Sequence, residues 1–370
     1  QYGENVLGRK LTYSPAGQAK MNYIVDALLT TGSKLRIFST CAAGNNAYYK
    51  CKKTKTRDKY NITYCSTFNS SIKYINLIDI LFRQLQLFFY LLLLVKRNDT
   101  VMVYHERFYL PVIALIRKFK TFKLMYEVEE IYTLAAKYPQ KKVLKEINGL
   151  KNSDAYIFPN DLMADYLSFN DKPFVVCYGS YHFEDVNVQK FDDGKIHLVY
   201  AGTLDTKKGG ASTAVELGKC LDEKFHIHIL GFGNKGELFE IKSKIDSISK
   251  EYKTIITYDG MLTGVEYRNF IQKCHVGLST QNPEGEYNNT SFPSKILTYL
   301  SNDIFVLSTR LKILEYSQLN DMLTYYDSLE HMAEILMNKN YISTINNRRD
   351  LLIRIRRNFE NQLSEIVNRK

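Results

Sequence analysis

Four short segments in the second half of this 370-residue chain carry residue types suited to holding a phosphate. Gly202-Thr203 closes one apolar run, and Lys208-Gly209 follows shortly after. Gly231-Phe232-Gly233 closes another run, and Ser291-Phe292-Pro293-Ser294-Lys295 precedes a third. A glycine after a strand lets backbone and ligand approach closely. The helix that follows presents unbonded N–H groups to an anion, and Lys208 can add a point charge. In the last segment Pro293 suits the first turn of a helix and Ser291 or Ser294 its cap. A lysine at a helix start is opposed by the helix dipole, so the placement of Lys295 makes sense if an anion docks there. Taken singly, such loops are also ordinary turns with a solvated lysine.

The first half offers a different set. Pro15-Ala16-Gly17-Gln18 leads into a helical pattern. His105 and Glu106 end the run 100–104, and Glu127, Glu129 and Glu130 end the run 122–127. In parallel α/β sheets, residues at the carboxyl ends of strands face the ligand crevice. A histidine there suits positioning or proton relay near neutrality. His226 and His228 alternate along a strand and could share a face. They lack a third ligand nearby, which reads as a structural pair and not a metal site. No Asp-x-Asp stands at a plausible metal position, so no metal is expected.

The elements that would position these residues alternate. Helices are expected at 18–29, 71–95, 111–118, 141–150 and 160–169, with strands at 35–39, 61–65, 100–104, 122–127, 155–158 and 174–177. Residues 44–60 read as a basic loop. The pattern then restarts with strands at 196–200, 225–230, 255–259, 276–279 and 305–308, separated by helices, and two helices finish the chain at 328–337 and 345–368. Such alternation gives parallel sheets with helices on both faces. The fold class is therefore α/β in two domains, 1–178 and 179–349, with the last helix, 350–370, completing the first. Residues 1–14 make a poor first strand, and the expectation is that the true one precedes Gln1. The run 85–95 (LQLFFYLLLLV) has 11 residues, against about 20 for a bilayer span. It reads as the mostly buried tail of a long helix, with at most one face on a membrane.

The net charge of +11 is unevenly placed: residues 1–175 carry +12 and the remainder −1. The densest run is Lys50, Lys52, Lys53, Lys55, Arg57 and Lys59. A basic half suits an anionic membrane surface or substrate. Nucleic acid is disfavoured because no recognition module accompanies the charge. Six cysteines without a CxxC spacing give no disulfide framework or zinc knuckle and read as free thiols in a reducing compartment.

The order and spacing of IHLVYAGTLDTKKGG, HIHILGFGNKGEL, YDGMLTGVEYRNFIQKCHVGLST and SFPSKILTYLSNDIFVLST resemble the donor domain of retaining glycosyltransferases of the GT-B fold. The nearest group is family 4, that of sucrose synthase and many mannosyltransferases. YSPAGQAKMNYIVDALLTTGSKLRIFST and GLKNSDAYIFPNDLMADYL extend the resemblance to the first half. It implies two Rossmann-like domains facing each other across a cleft, the second binding a nucleotide-diphosphate sugar and the first an acceptor. Gly17 would approach the donor phosphates and His105 the reacting sugar. Lys208 and Lys295 would hold the diphosphate, with Gly202, Thr203, Gly231, Gly233 and residues Thr290, Ser291, Phe292, Pro293 and Ser294 around the nucleotide. Glu106 and Glu127 would lie on the acceptor side. Thr203 stands where such enzymes carry arginine, Thr290 and Thr298 where many carry glutamates, and Asp303 where glycine is usual. Glu284 and Glu286 lie close enough in sequence to contribute instead.

The reaction so implied moves one sugar to a hydroxyl with retention, from a UDP-sugar by preference and a GDP-sugar as the other candidate. The acceptor would be a glycan or a polyprenyl-diphosphate-linked glycan. The setting would be surface polysaccharide synthesis at the cytoplasmic face of the plasma membrane, with no cofactor. A nucleotide-sugar epimerase and a non-catalytic partner protein of the same architecture remain open.

Overall fold

The computed structural model describes residues 11–12, 14–44, 47–56, 60–183, 188–338 and 348–369. The chain divides into two compact units, one of residues 1–159, 163–177 and 358–370, the other of 160–162 and 178–357. The first strand anticipated ahead of Pro15 falls outside the described residues.

In the first unit, β1 (Leu35–Ser39), β3 (Lys52–Thr56) and β4 (Tyr60–Tyr64) form one sheet in the order β1-β4-β3. β2 (Tyr48–Tyr49) pairs with β5 (Thr67–Phe68). β6 (Thr100–Tyr104), β7 (Lys123–Glu127), β8 (Ala155–Phe158) and β9 (Phe174–Val176) form a second, all-parallel sheet in chain order. Strand β8 (AYIF) is buried at every position, as a strand covered on both faces must be. Its Tyr156 stacks on Phe158 and Phe169, both at 5.0 Å, at the centre of this core.

Two expectations need correction here. The basic stretch 44–60 is not all loop. Lys52, Lys53 and Lys55 lie on β3, antiparallel to β4 on the outer edge of its sheet. Arg57 and Lys59 fall outside the described residues. The apolar helix Lys73–Leu94 is also not mostly buried: Asp79, Leu87 and Leu91 alone are buried, while Leu81 is 61% and Leu93 76% exposed. At 22 residues it is long and apolar enough to cross a membrane by length and composition. The run 85–95 is extended by the apolar turns ahead of it, from Ile75 to Phe82. Polar contacts tie one side of the helix to the unit. Asp79 accepts from Thr67 Oγ1 and from the Phe68 N–H, both at 2.9 Å, and Arg83 Nε lies 2.7 Å from Asp79 Oδ2.

The second unit is built on six parallel strands: β10 (Ile196–Thr203), β11 (Phe225–Phe232), β12 (Ile255–Gly260), β13 (Val276–Ser279), β14 (Phe305–Thr309) and β15 (Thr324–Tyr326). Their order is β12-β11-β10-β13-β14-β15. The winding reverses between β10 and β13, and a doubly wound sheet binds ligands beyond the carboxyl ends of the strands at that reversal. The helix Lys235–Glu251 covering this sheet starts with a capping box. The Asn234 side chain accepts from the Glu237 N–H at 3.0 Å, and Glu237 Oε2 accepts from the Asn234 N–H at 2.7 Å.

Asp303 has φ +53°, a left-handed conformation that aspartate tolerates better than most residues. This is the physical reason a glycine suits the position. Asp303→Ala should destabilise the protein by about 1 kcal/mol, and Asp303→Gly by less. Urea midpoints of the two variants test this, and equal midpoints would show that the backbone is not under strain there.

Candidate donor and acceptor sites

The carboxyl end of β10 is glycine by necessity. Gly202 faces Gly231 in register, and a Cβ on Gly231 would sit 1.7 Å from the Gly202 carbonyl oxygen, at φ +147°. A Cβ on Gly202 would in turn meet Lys295 Nζ and Tyr200 Oη, each at 3.2 Å. Lys295 Nζ lies 3.9 Å from the centroid of the Tyr200 ring. Gly210 has no room for a side chain beside the same tyrosine, 2.9 Å from Tyr200 Oη. Glycines on both sides therefore bring backbone, Tyr200 and Lys295 together at the switch point of the sheet.

Lys295 is half-buried, and no carboxylate pairs with it among the described residues. Burial, with Lys208 adding repulsion, pushes its ammonium down to about 7. Lys208 is exposed, its Nζ 5.2 Å from the Tyr287 ring centroid. The buried oxygens Ser279 Oγ, Tyr287 Oη and Thr290 Oγ1 have no hydrogen-bond partner among the described residues. They belong to the end of β13 and the loop that follows it. Buried hydroxyls left unsatisfied cost free energy unless a ligand or water completes them.

The remaining donor-side positions are placed less directly. Thr203 is exposed at the end of β10, and its carbonyl accepts from Tyr200 Oη at 2.9 Å. Gly233 packs against Leu204 and Glu237. Pro293 precedes the N-cap Ser294 of the helix Lys295–Ser301, one position short of the first turn. Neither serine caps that helix: Ser294 makes no side-chain capping bond, and Ser291 Oγ donates to the Tyr287 carbonyl at 2.8 Å. Phe292 is buried against Tyr178, 4.8 Å between ring centroids. Thr290 is wholly buried, whereas Glu284 and Glu286 are exposed.

In the first unit Ser14 caps the helix Pro15–Thr30, its Oγ accepting from the Gly17 N–H at 3.3 Å. A Cβ on Gly17 would approach Tyr104 Oη to 3.1 Å. One turn on, the buried Lys20 Nζ lies 2.8 Å from Glu127 Oε1 and 2.6 Å from Glu129 Oε2. Burial opposes the lysine's charge, but the two carboxylates outweigh it and hold Lys20 above the ordinary lysine range. Burial pushes Glu127 up to about 7 despite Lys20, with Glu129 adding repulsion. Glu106 and much of Glu129 stay accessible.

His105 has no exposed surface. Its ring lies 5.3 Å from Tyr132, and its Nε2 is 3.4 Å from Glu146 Oε1. Burial, only partly offset by Glu146, pushes the imidazole down to about 4, so it is neutral at pH 7. Its backbone N–H donates to the Glu127 carbonyl at 2.7 Å. Wholly buried, His105 does not line an accessible surface, against the expectation that it meets the reacting sugar.

Sequence reasoning passed over Lys20, Tyr200, Ser279 and Tyr287. Lys20 carried a signal in being a charged residue on the apolar side of its helix. The tyrosines and the serine carried none. One reading is overturned: His226 and His228 do have a third histidine nearby. His197 of the neighbouring strand joins them, with nitrogens of all three rings within 4.8 Å of one another.

With the geometry in hand, solved structures give a comparison. OtsA in its apo form matches 97% of this chain and 98% of its own at a TM-score of 0.71 and 12% identity. The fold is GT-B. An E. coli trehalose-6-phosphate structure bound with UDP-2-fluoro glucose matches 96% of each chain at TM-score 0.65 and 13% identity. Anabaena HepE in complex with UDP matches 80% of this chain and 85% of its own at TM-score 0.58 and 12% identity. No protein-family model matches the sequence, and no curated protein does.

Proposed function

We propose that the protein is a retaining glycosyltransferase of the family 4 type that moves a sugar from a UDP-sugar to a hydroxyl of a glycan or lipid-linked acceptor. One observation carries the reading. Lys295, which no carboxylate pairs with among the described residues, stands with Tyr200 and Gly202 at the switch point of the second unit, beside the end of β13 and the loop carrying Tyr287. A diphosphate there would meet Lys295 and Lys208, the two lysines beside the Tyr200 and Tyr287 rings. Both lysines stabilise the diphosphate as it leaves, where charge develops in the transition state. That two similar folds carry UDP or a UDP-sugar favours uridine as the base. On the acceptor side, Glu106 and Glu129 lie just beyond strand ends, and Lys20 holds the Glu129 carboxylate together with the buried Glu127.

Calorimetric titration with UDP-, ADP-, dTDP- and GDP-sugars, with donor hydrolysis followed in the same samples, tests this. A UDP-sugar should bind selectively and hydrolyse slowly without acceptor. A folded protein that binds none at millimolar concentration would sink the proposal and leave the non-catalytic reading.

The setting we propose is the cytoplasmic face of an anionic membrane, in surface polysaccharide synthesis. The support is the charge of residues 1–175 together with the exposed apolar side of the helix Lys73–Leu94. Leu77, Leu81, Leu85, Phe89 and Leu93 are uncovered on it, and Phe119 is 65% exposed next to Phe88. Each basic residue near such a surface is worth about 1 kcal/mol. The protein should float with vesicles containing phosphatidylglycerol, less so with Leu81→Glu and Phe89→Glu together. Equal flotation with neutral vesicles in high salt would remove the electrostatic part.

A further inference from the structure

Toward the amino-terminal ends of β10 and β11 in the second unit, away from the glycine loops, an unbroken chain of contacts links two carboxylates through two imidazoles. Asp193 Oδ1 is 2.9 Å from His197 Nε2, His197 Nδ1 is 2.8 Å from His228 Nε2, and His228 Nδ1 is 3.1 Å from Asp259 Oδ2. An ionised carboxylate only accepts hydrogen bonds, so each outer nitrogen carries its proton toward a carboxylate. The inner pair, His197 Nδ1 and His228 Nε2, is left as two lone pairs facing each other at hydrogen-bond distance. Facing lone pairs repel, and a cation between them would relieve this; His228 Nδ1 also lies 3.2 Å from Thr257 Oγ1.

His226 decides which cation. Its Nε2 is engaged by Thr257 Oγ1 at 3.0 Å, leaving Nδ1 as its free nitrogen, and its ring lies 3.9 Å from that of His228. A shared proton needs two lone pairs, whereas three imidazoles that each place a nitrogen within 4.8 Å of the others are the ligand set of a transition metal. Phe191 stacks on His197 at 4.3 Å and on His228 at 5.5 Å, and Phe270 meets His228 edge-on at 5.0 Å, so the rings sit under an apolar cover. His275 is not part of the set, because its Nδ1 already accepts from the His197 N–H at 3.0 Å.

We propose that His197, His226 and His228 bind a divalent transition-metal ion of the zinc, nickel or copper class, with Asp193, Thr257 and Asp259 orienting the rings. Imidazole suits these ions. A zinc–nitrogen bond of about 2.0–2.1 Å in tetrahedral geometry sets nitrogen ligands roughly 3.4 Å apart, so the inner pair opens by about half an ångström on binding. The ion would fasten the segment around Phe191 and Asp193 to β10 and β11, a structural role independent of the donor site.

The test uses the full chain stripped with a chelator. Zn²⁺ titrated by calorimetry, with metal content read by mass spectrometry, should give one ion per chain and a raised melting temperature. His226→Ala keeps the Asp193–His197–His228–Asp259 chain intact and should weaken zinc binding at least about tenfold while leaving the metal-free melting temperature unchanged. Asp259→Asn should weaken it about 10–100-fold. Zinc binding that is absent, or equal in wild type and His226→Ala, would overturn the proposal. The first result would leave a proton between His197 and His228, and the second would place the metal elsewhere.

Discussion

Lys295→Met should lower kcat/KM for sugar transfer by about 10²–10³-fold, the loss typical of removing one group that stabilises a developing anion. The same variant should be at least as stable as the wild type. In the free protein Lys295 is an unpaired ammonium held against Tyr200, and burying charge without a partner costs free energy. A more stable but inactive protein separates loss of the site from loss of the fold. Lys208→Met should cost less, because Lys208 is exposed and water screens its charge. The pH dependence follows from the depressed value of Lys295, about 7 in the free protein. The protonated form binds the diphosphate, so donor affinity should be greatest below pH 7 and fall as pH rises through that value. Above it, binding must take up a proton. Titration of a UDP-sugar at pH 8 in buffers of different ionisation enthalpy should show uptake approaching one proton. Lys295→Met should show none, with a flat affinity profile. Unchanged donor affinity in Lys295→Met would exclude Lys295 from the site.

The distribution of what could be read in the sequence has a physical pattern. Strands such as Ile196–Thr203 and Ala155–Phe158 announce themselves because buried parallel strands are continuous apolar runs. The glycines at 202 and 231 were legible as close-approach positions, although only the fold shows that Gly231 is pressed onto the Gly202 carbonyl. Contacts between distant segments were not legible. Tyr200 under Lys295 joins residues 95 positions apart in sequence, and His197 meets His228 across two strands. A histidine pair judged by its own strand lacks the ligand that the neighbouring strand supplies. The helix Lys73–Leu94 failed in another way. Composition says that it is apolar, while which side is covered depends on what packs there, and here little does.

Lys20→Met should be the most damaging single change to stability, about 3–5 kcal/mol at pH 8, because removing one partner of a buried ion pair leaves the other charge unpaired. Lys20 holds two carboxylates, Glu127 without exposed surface and Glu129 partly exposed. Without the lysine, Glu127 must ionise in the core or bind a proton. The cost should therefore shrink at pH 5.5, where protonation is easy. The wild-type pH dependence has a definite sign. Glu127 in the folded protein lies near 7, above its unfolded value of about 4.3. Its contribution is fully present below the unfolded value and is lost as pH rises through about 7, with the slope set by linkage. Glu127→Gln should remove that slope at small cost, since Lys20 keeps Glu129 at 2.6 Å. The double variant Lys20→Met with Glu127→Gln should be more stable than Lys20→Met alone, since no buried charge is stranded. Urea denaturation of the four proteins at pH 5.5 and 8 gives the coupling as a double-mutant cycle. Additive losses, equal at both pH values, would mean that Lys20 and Glu127 are not an ion pair and that the start of the helix Pro15–Thr30 is held by other contacts.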